Sequence, residues 1–202
     1  MTSEKVAAKA DAQFFFDLNK SPLFIKNPKN LINVAGQKQL NTLHNVSLLD
    51  IFLSRGNIIE PHYHQNATEL IYCISGSVTV SILNPLSKQI MNFTLTPGQI
   101  VNVPQGWWHY IVTLQDHTHL LAIFDAPNPE VILGSDILKF TPASIIAQTY
   151  GVDENLWKQA VTPIKPSTFI GSRNSSHTFN HTFHPYQLSS GTHIFPPHPY
   201  PW

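Results

Sequence analysis

The chain predicts an all-β protein, a closed or double-layered antiparallel fold, on three observations. Short apolar runs recur from Val46 to Phe124, bounded by Gly, Pro, Asn or Ser turn signals. The stretch Ser77-Val78-Thr79-Val80-Ser81-Ile82 alternates polar and apolar residues, the period of a half-buried strand. Strands this short and numerous leave edges that closure or double layering hides.

Taken in order, Met1 to Gln13 reads as a short helix or frayed start, rich in Ala and Lys but without an apolar face. The compact apolar run Phe14-Phe15-Phe16-Asp17-Leu18 follows, and residues 1–40 form a lead-in that packs on the main fold. Val46 to Leu53 is a strand ending at Ser54-Arg55-Gly56. Beyond the alternating strand, Asn84 to Lys88 turns the chain and Ile90 to Leu95 returns beside it. Pro97-Gly98 and Pro104-Gln105-Gly106 bracket the strand Ile100 to Val103, and Trp107 to Thr113 and His119 to Phe124 complete the β region.

The pattern changes after Asp125. Thr141 as N-cap and Pro142 at the first helical position predict a helix with Ile145, Ile146 and Thr149 on one face, stopped by Gly151. Asp153 caps a second helix carrying Leu156, Trp157 and Val161. Residues 41–165 are thus a barrel with a helical clasp. Residues 166–202 shift to Pro, His, Ser, Thr and aromatics, with Arg173 the only charged side chain, and predict an extended tail that docks on a partner or on its own barrel.

Charged residues make up only 12% of the 202, and 12 Lys+Arg balance 12 Asp+Glu, so no global field favours nucleic acid or an anionic membrane. One cysteine, Cys73, precludes an intramolecular disulfide and reads as a buried structural thiol. An N-terminus without an apolar core and the lack of a long apolar run predict a cytoplasmic protein without a signal peptide.

Chemistry concentrates between Gly56 and Gly76. His62 and His64 are two apart, so on a strand both imidazoles face one way and Tyr63 the other. Glu69 opens the next apolar run after a short polar loop, and an antiparallel return brings its carboxylate back to the histidines. A second cluster, from Gly98 to Thr113, adds His109. Three neutral imidazoles and one carboxylate suit a six-coordinate divalent cation with two positions open, manganese foremost, with iron, nickel or zinc also accepted by such donors. Glu60 orients a histidine or is a rim charge, and Trp107 and Trp108 pack in the barrel or stack on substrate. The dispersed His177, His181, His184, His193 and His198 offer loose metal binding without a fixed scaffold, and the pairs Phe195-Pro196, His198-Pro199 and Tyr200-Pro201 read as a docking strip.

The two clusters together resemble the cupin superfamily. Gly56, His62, His64, Glu69 and Gly76 match its first motif; Gly98, Pro104, Gly106 and His109 match its second, with Thr113 where Asn is usual. Within the superfamily, the segment from Glu60 to Gly76 is similar to one half of an oxalate decarboxylase or to a germin-like subunit. That resemblance implies a jelly-roll, double-stranded β-helix barrel, a metal held by His62, His64, Glu69 and His109, a small-molecule substrate and a homo-oligomer, with association into a larger assembly. The arginine that holds oxalate in oxalate decarboxylases is replaced here by Ile59, and the proton-handling lid glutamate corresponds to a segment containing Glu130. Two functions follow: a metalloenzyme with decarboxylase, oxidase or dioxygenase-type chemistry, or a structural, storage-like metal-binding cupin whose tail mediates assembly.

Overall fold

Two antiparallel sheets of six strands enclose one apolar core. The structure is a computed structural model that describes residues 10–171. Its strands are β1 (Pro22–Asn27), β2 (Asn30–Ala35), β3 (Ser47–Leu53), β4 (Ile58–Tyr63), β5 (Glu69–Ser75), β6 (Val78–Asn84), β7 (Gln89–Leu95), β8 (Ile100–Val103), β9 (His109–Thr113), β10 (Thr118–Phe124), β11 (Ile132–Leu133) and β12 (Ile170–Gly171). One sheet runs β1-β2-β3-β10-β5-β8. The other runs β11-β4-β9-β6-β7, with β12 added beside β4. From β3 to β11 every connection except the β6–β7 hairpin changes sheets, as β4 to β5 does across residues 64–68, and the inward residues of both layers meet in Ile51, Leu53, Ile71, Val80, Ile82, Ile111, Leu120 and Phe124.

The turn glycines explain how short loops make these reversals. Gly76 joins β5 to β6 at φ +75, a left-handed backbone, and its α-carbon faces Thr118 so closely that an added Cβ would lie 2.2 Å from the hydroxyl oxygen. Only glycine fits both demands.

Four expectations are corrected by the structure. The alternating strand β6 is buried on both faces, because short hydroxyl side chains in a strand flanked by β7 and β9 are covered by cross-strand neighbours. Ser81 donates to Asn92 Oδ1 at 2.6 Å, and the Thr79 and Thr94 hydroxyls lie 3.2 Å apart. The apolar run at Phe14 does not pack as a unit: Phe14 and Phe15 stay exposed, and Asp17 instead caps a short 3-10 turn, Leu18–Lys20.

Thr141 is not a helix N-cap. It ends an extra helix, α1 (Gly134–Phe140), donating its hydroxyl to Ile137 O, while Pro142 precedes α2 (Ala143–Tyr150) as its N-cap. Gly151 does terminate α2, at φ 68, and Asp153 does cap α3 (Glu154–Val161), accepting from Leu156 N at 2.8 Å. Finally, Glu69 is not brought to the histidines by antiparallel pairing of neighbouring strands. β4 and β5 lie in different sheets, and the carboxylate approaches from across the core.

The lead-in contributes β1 and β2 to the first sheet, and Pro166 to Gly171 lie on the barrel itself, Ile170 pairing with Ile59. The expected helix at Met1 to Gln13 falls largely, and the rest of the tail wholly, outside the described residues. No described helix is long and apolar enough to cross a membrane.

Candidate metal centre

β4 carries the first histidine through an irregularity. Pro61 has no N–H for the ladder, and the pairing with β9 shifts register between Ile59 and His62. Within this break the Glu60 carbonyl accepts a hydrogen bond from His62 Nδ1–H at 2.6 Å. His64 lies one residue beyond the strand end, its ring edge against Phe124, and its Nδ1–H donates to the Glu130 carbonyl at 2.8 Å. His109 opens β9 opposite His62 and donates Nδ1–H to the Trp107 carbonyl at 2.9 Å. Glu69 opens β5 in the facing sheet.

These three bonds decide the tautomers. A carbonyl only accepts, so each ring carries its hydrogen on Nδ1 and, when neutral, presents a bare lone pair at Nε2. All four side chains are buried, and their donor atoms lie within 4.8 Å of one another. Among the described residues this is the one such cluster of His, Cys, Asp and Glu.

The electrostatics suit a cation. Burial, with His109 next, pushes the His62 pKa down to about 3, so this ring is neutral at ordinary pH. Burial opposes the charge on Glu69, yet the His109 and His64 rings beside it outweigh burial and hold the carboxyl well below the usual carboxylate range. Burial also opposes protonation of His64, but the Glu69 carboxylate 3.5 Å from its Nε2 prevails and raises its pKa.

Two further observations show that these residues fit a metal. His64 Nε2 is buried and has no hydrogen-bond partner, an arrangement that costs free energy unless the lone pair is used. His109 Nδ1–H is committed to the Trp107 carbonyl, so a neutral ring meets Glu69 Oε2, 2.7 Å away, with a lone pair at Nε2, and that approach requires positive charge between them, a proton or a metal cation. Three imidazole lone pairs and a carboxylate are a donor set for first-row divalent metals.

His62, His64 and Glu69 line a cavity of about 330 Å³; the buried His109 is not among its lining residues. Its wall is mainly apolar, with aliphatic Leu49, Ile51, Ile59 and Ile111 from the barrel and aromatic Phe169 from the C-terminal segment. Lys38 and Asn128, both exposed, also line the cavity, together with Gln39 and Pro129. The Glu130 carboxylate accepts from Gln65 Nε2 at 2.8 Å, while its carbonyl holds His64.

Glu60 is neither a rim charge nor a side-chain support for a histidine. Its buried carboxylate accepts from Ser135 N, Ser135 Oγ and Phe169 N, and only its carbonyl reaches His62. Trp107 packs against the core, whereas Trp108 lines a separate groove of about 760 Å³ with Pro61, Gly134 and Ile170. Cys73 is fully buried, and burial raises its thiol pKa. Lys38 and Phe169 carried no signal in the sequence, because they reach the cavity from the lead-in and from the presumed tail, far from either histidine cluster.

Comparison with known proteins agrees with this geometry. The profile of the family described as Cupin matches residues 17–158. A protein named "Probable oxalate decarboxylase" from Arthroderma benhamiae is 26% identical over 160 residues, 71% of this chain and 39% of its own length. Germin-like protein subfamily 2 member 1 of Arabidopsis thaliana is 28% identical over 142 residues, 68% of this chain and 63% of its own. Solved structures of Bacillus subtilis oxalate decarboxylase match with a TM-score of 0.69 over 82% of this chain and 43% of theirs, at 20% identity. The chain spans less than two thirds of each of these proteins.

Proposed function

Because the chain belongs to the cupin family, we propose that it binds one divalent metal ion through His62, His64, Glu69 and His109 and acts on a small carboxylate or oxygenated metabolite. The observation that carries the proposal is the set of three Nδ1–H bonds to main-chain carbonyls, which turns three bare Nε2 atoms toward one buried carboxylate. Manganese is the proposed metal, with iron, nickel and zinc as alternatives. The donor set suits manganese, and one study of the Bacillus subtilis oxalate decarboxylase concerns its Mn(II) centres.

When bound, the metal supplies a Lewis acid or redox centre for substrate oxygens. The chain's own residues do the rest. Glu69 offsets part of the cation's charge, the backbone carbonyls keep the rings oriented, and the apolar wall limits water. Glu130 is the proposed proton-transfer group, since its neighbours Pro129 and Val131 form part of the cavity wall. A homo-oligomer completes the reading; exposed Tyr72, Ile74 and Ile100 on the β5-β8 side of the first sheet support it.

Metal analysis of purified protein tests the core of this proposal. His62→Ala combined with His109→Ala should abolish stoichiometric metal; full retention overturns the ligand assignment. Turnover of metal-loaded protein on oxalate, small keto acids or phenolic compounds identifies an enzyme. Its absence, with assembly lost on truncation after Lys165, instead supports the storage-like reading.

A further inference from the structure

We infer that the metal cavity selects small monocarboxylates with an aliphatic body, bearing a second oxygen on the carbon next to the carboxyl, over compact dianions. The inference rests on the metal reading above and names its substrate class. It starts from the wall: Leu49, Ile51, Ile59, Ile111 and Phe169 present hydrocarbon to the space beside His62, His64 and Glu69. Ile51, Ile59 and Ile111 are at most 7% exposed, so they are fixed parts of the barrel. Among the described residues lining the cavity, Lys38 is the only lysine or arginine, and it stands exposed on the turn after β2.

Charge counting leads to the same class. A divalent cation with one carboxylate ligand and three neutral imidazoles leaves one net positive charge, enough to neutralise one carboxylate. A dianion leaves the bound complex with one uncompensated negative charge beside hydrocarbon, which is costly. An alkyl body instead gains by leaving water, about fourfold in affinity per buried methylene. The two adjacent oxygens suit the two positions that four protein donors leave open on a six-coordinate ion. Lys38, exposed where it lines the cavity, favours approach of anions.

The test is a titration of the manganese-loaded full chain, with metal content measured on the same sample. Its probes are oxalate and the series pyruvate, 2-oxobutanoate and 2-oxopentanoate, followed by calorimetry and by the manganese electron paramagnetic resonance spectrum. Affinity should rise about fourfold per added methylene, with 2-oxopentanoate binding at least tenfold more tightly than oxalate. Lys38→Gln should weaken the three monocarboxylates by a similar factor and oxalate, a dianion, by more, leaving the chain-length trend unchanged. A flat series, or oxalate as the tightest ligand on metal-loaded protein, overturns the inference and leaves the metal reading standing. A chain that takes up no metal overturns both.

Discussion

Glu60 grips Phe169 from both sides of its backbone: the Glu60 N–H donates to the Phe169 carbonyl at 3.0 Å, and the Glu60 carboxylate accepts the Phe169 N–H at 2.8 Å. The same carboxylate accepts from the backbone N and hydroxyl of Ser135 in α1, and the same residue's carbonyl holds the His62 ring. One side chain therefore joins the C-terminal segment, the first helix and the strand bearing His62. Glu60→Gln keeps the shape but sets an amide N–H₂ against a donor. It should lower unfolding stability by about 2 kcal/mol in chemical denaturation and speed proteolysis between Pro163 and Gly171. An unchanged midpoint would show that the network is energetically idle.

Gly76→Ala meets a barrier of two kinds, a left-handed backbone and a Cβ 2.6 Å from the Thr118 Cα. Relief requires β10 to move, so a loss of about 3 kcal/mol or more is expected. Equilibrium unfolding against wild type measures it, and a loss below about 1 kcal/mol would contradict the tight approach of these strands.

Acid should destabilise the metal-free protein. His62 stays neutral in the fold down to about pH 3, whereas its ordinary value is 6.5, so between those limits the unfolded chain holds more protons and stability falls as pH falls. Glu69, with its pKa lowered, adds a loss in the same direction below its ordinary 4.5. His64 acts oppositely: its pKa is raised, so its contribution is full below 6.5 and is lost as pH rises through its folded value. Denaturation midpoints from pH 7 to 3, on chelator-treated protein, should drop, with His62→Gln flattening the decline between 6.5 and 4.5. A midpoint independent of pH in that range would reject the buried neutral His62.

Truncation separates the docked segment from the rest of the tail. A chain ending at Gly171 should keep its metal stoichiometry and stay within about 0.5 kcal/mol of wild-type stability. One ending at Lys165 loses Phe169 and buried Ile170, along with the pairing of β12 to β4, and should lose about 3 kcal/mol. Equal stability of the two chains would deny the segment its role as a wall of the cavity.

Much of this was legible before the structure, for identifiable reasons. Alternation across a strand places His62 and His64 on one side, and the paired glycine-flanked clusters point to His109 as the fourth donor. What escaped depends on contacts between distant parts of the chain. α1 has no side-chain cap of its own; the Ser135 N–H near its start is satisfied by Glu60, 75 residues away, so no local signal announces it. Glu69 arrives from the opposite sheet, a relation that reading neighbouring strands as partners misses. The cavity wall contributed by Phe169 was hidden inside a stretch whose composition reads as tail.

All three imidazoles donate Nδ1–H to peptide carbonyls, at Glu60, Trp107 and Glu130, and none to a side chain. Point substitutions alter side chains and leave carbonyls in place. The cavity wall, by contrast, is built of side chains that can be exchanged one at a time. The donor geometry is accordingly insulated from drift in the cavity-lining residues, and Leu49, Ile51 or Ile111 can be edited without redesigning the site proposed to hold an ion.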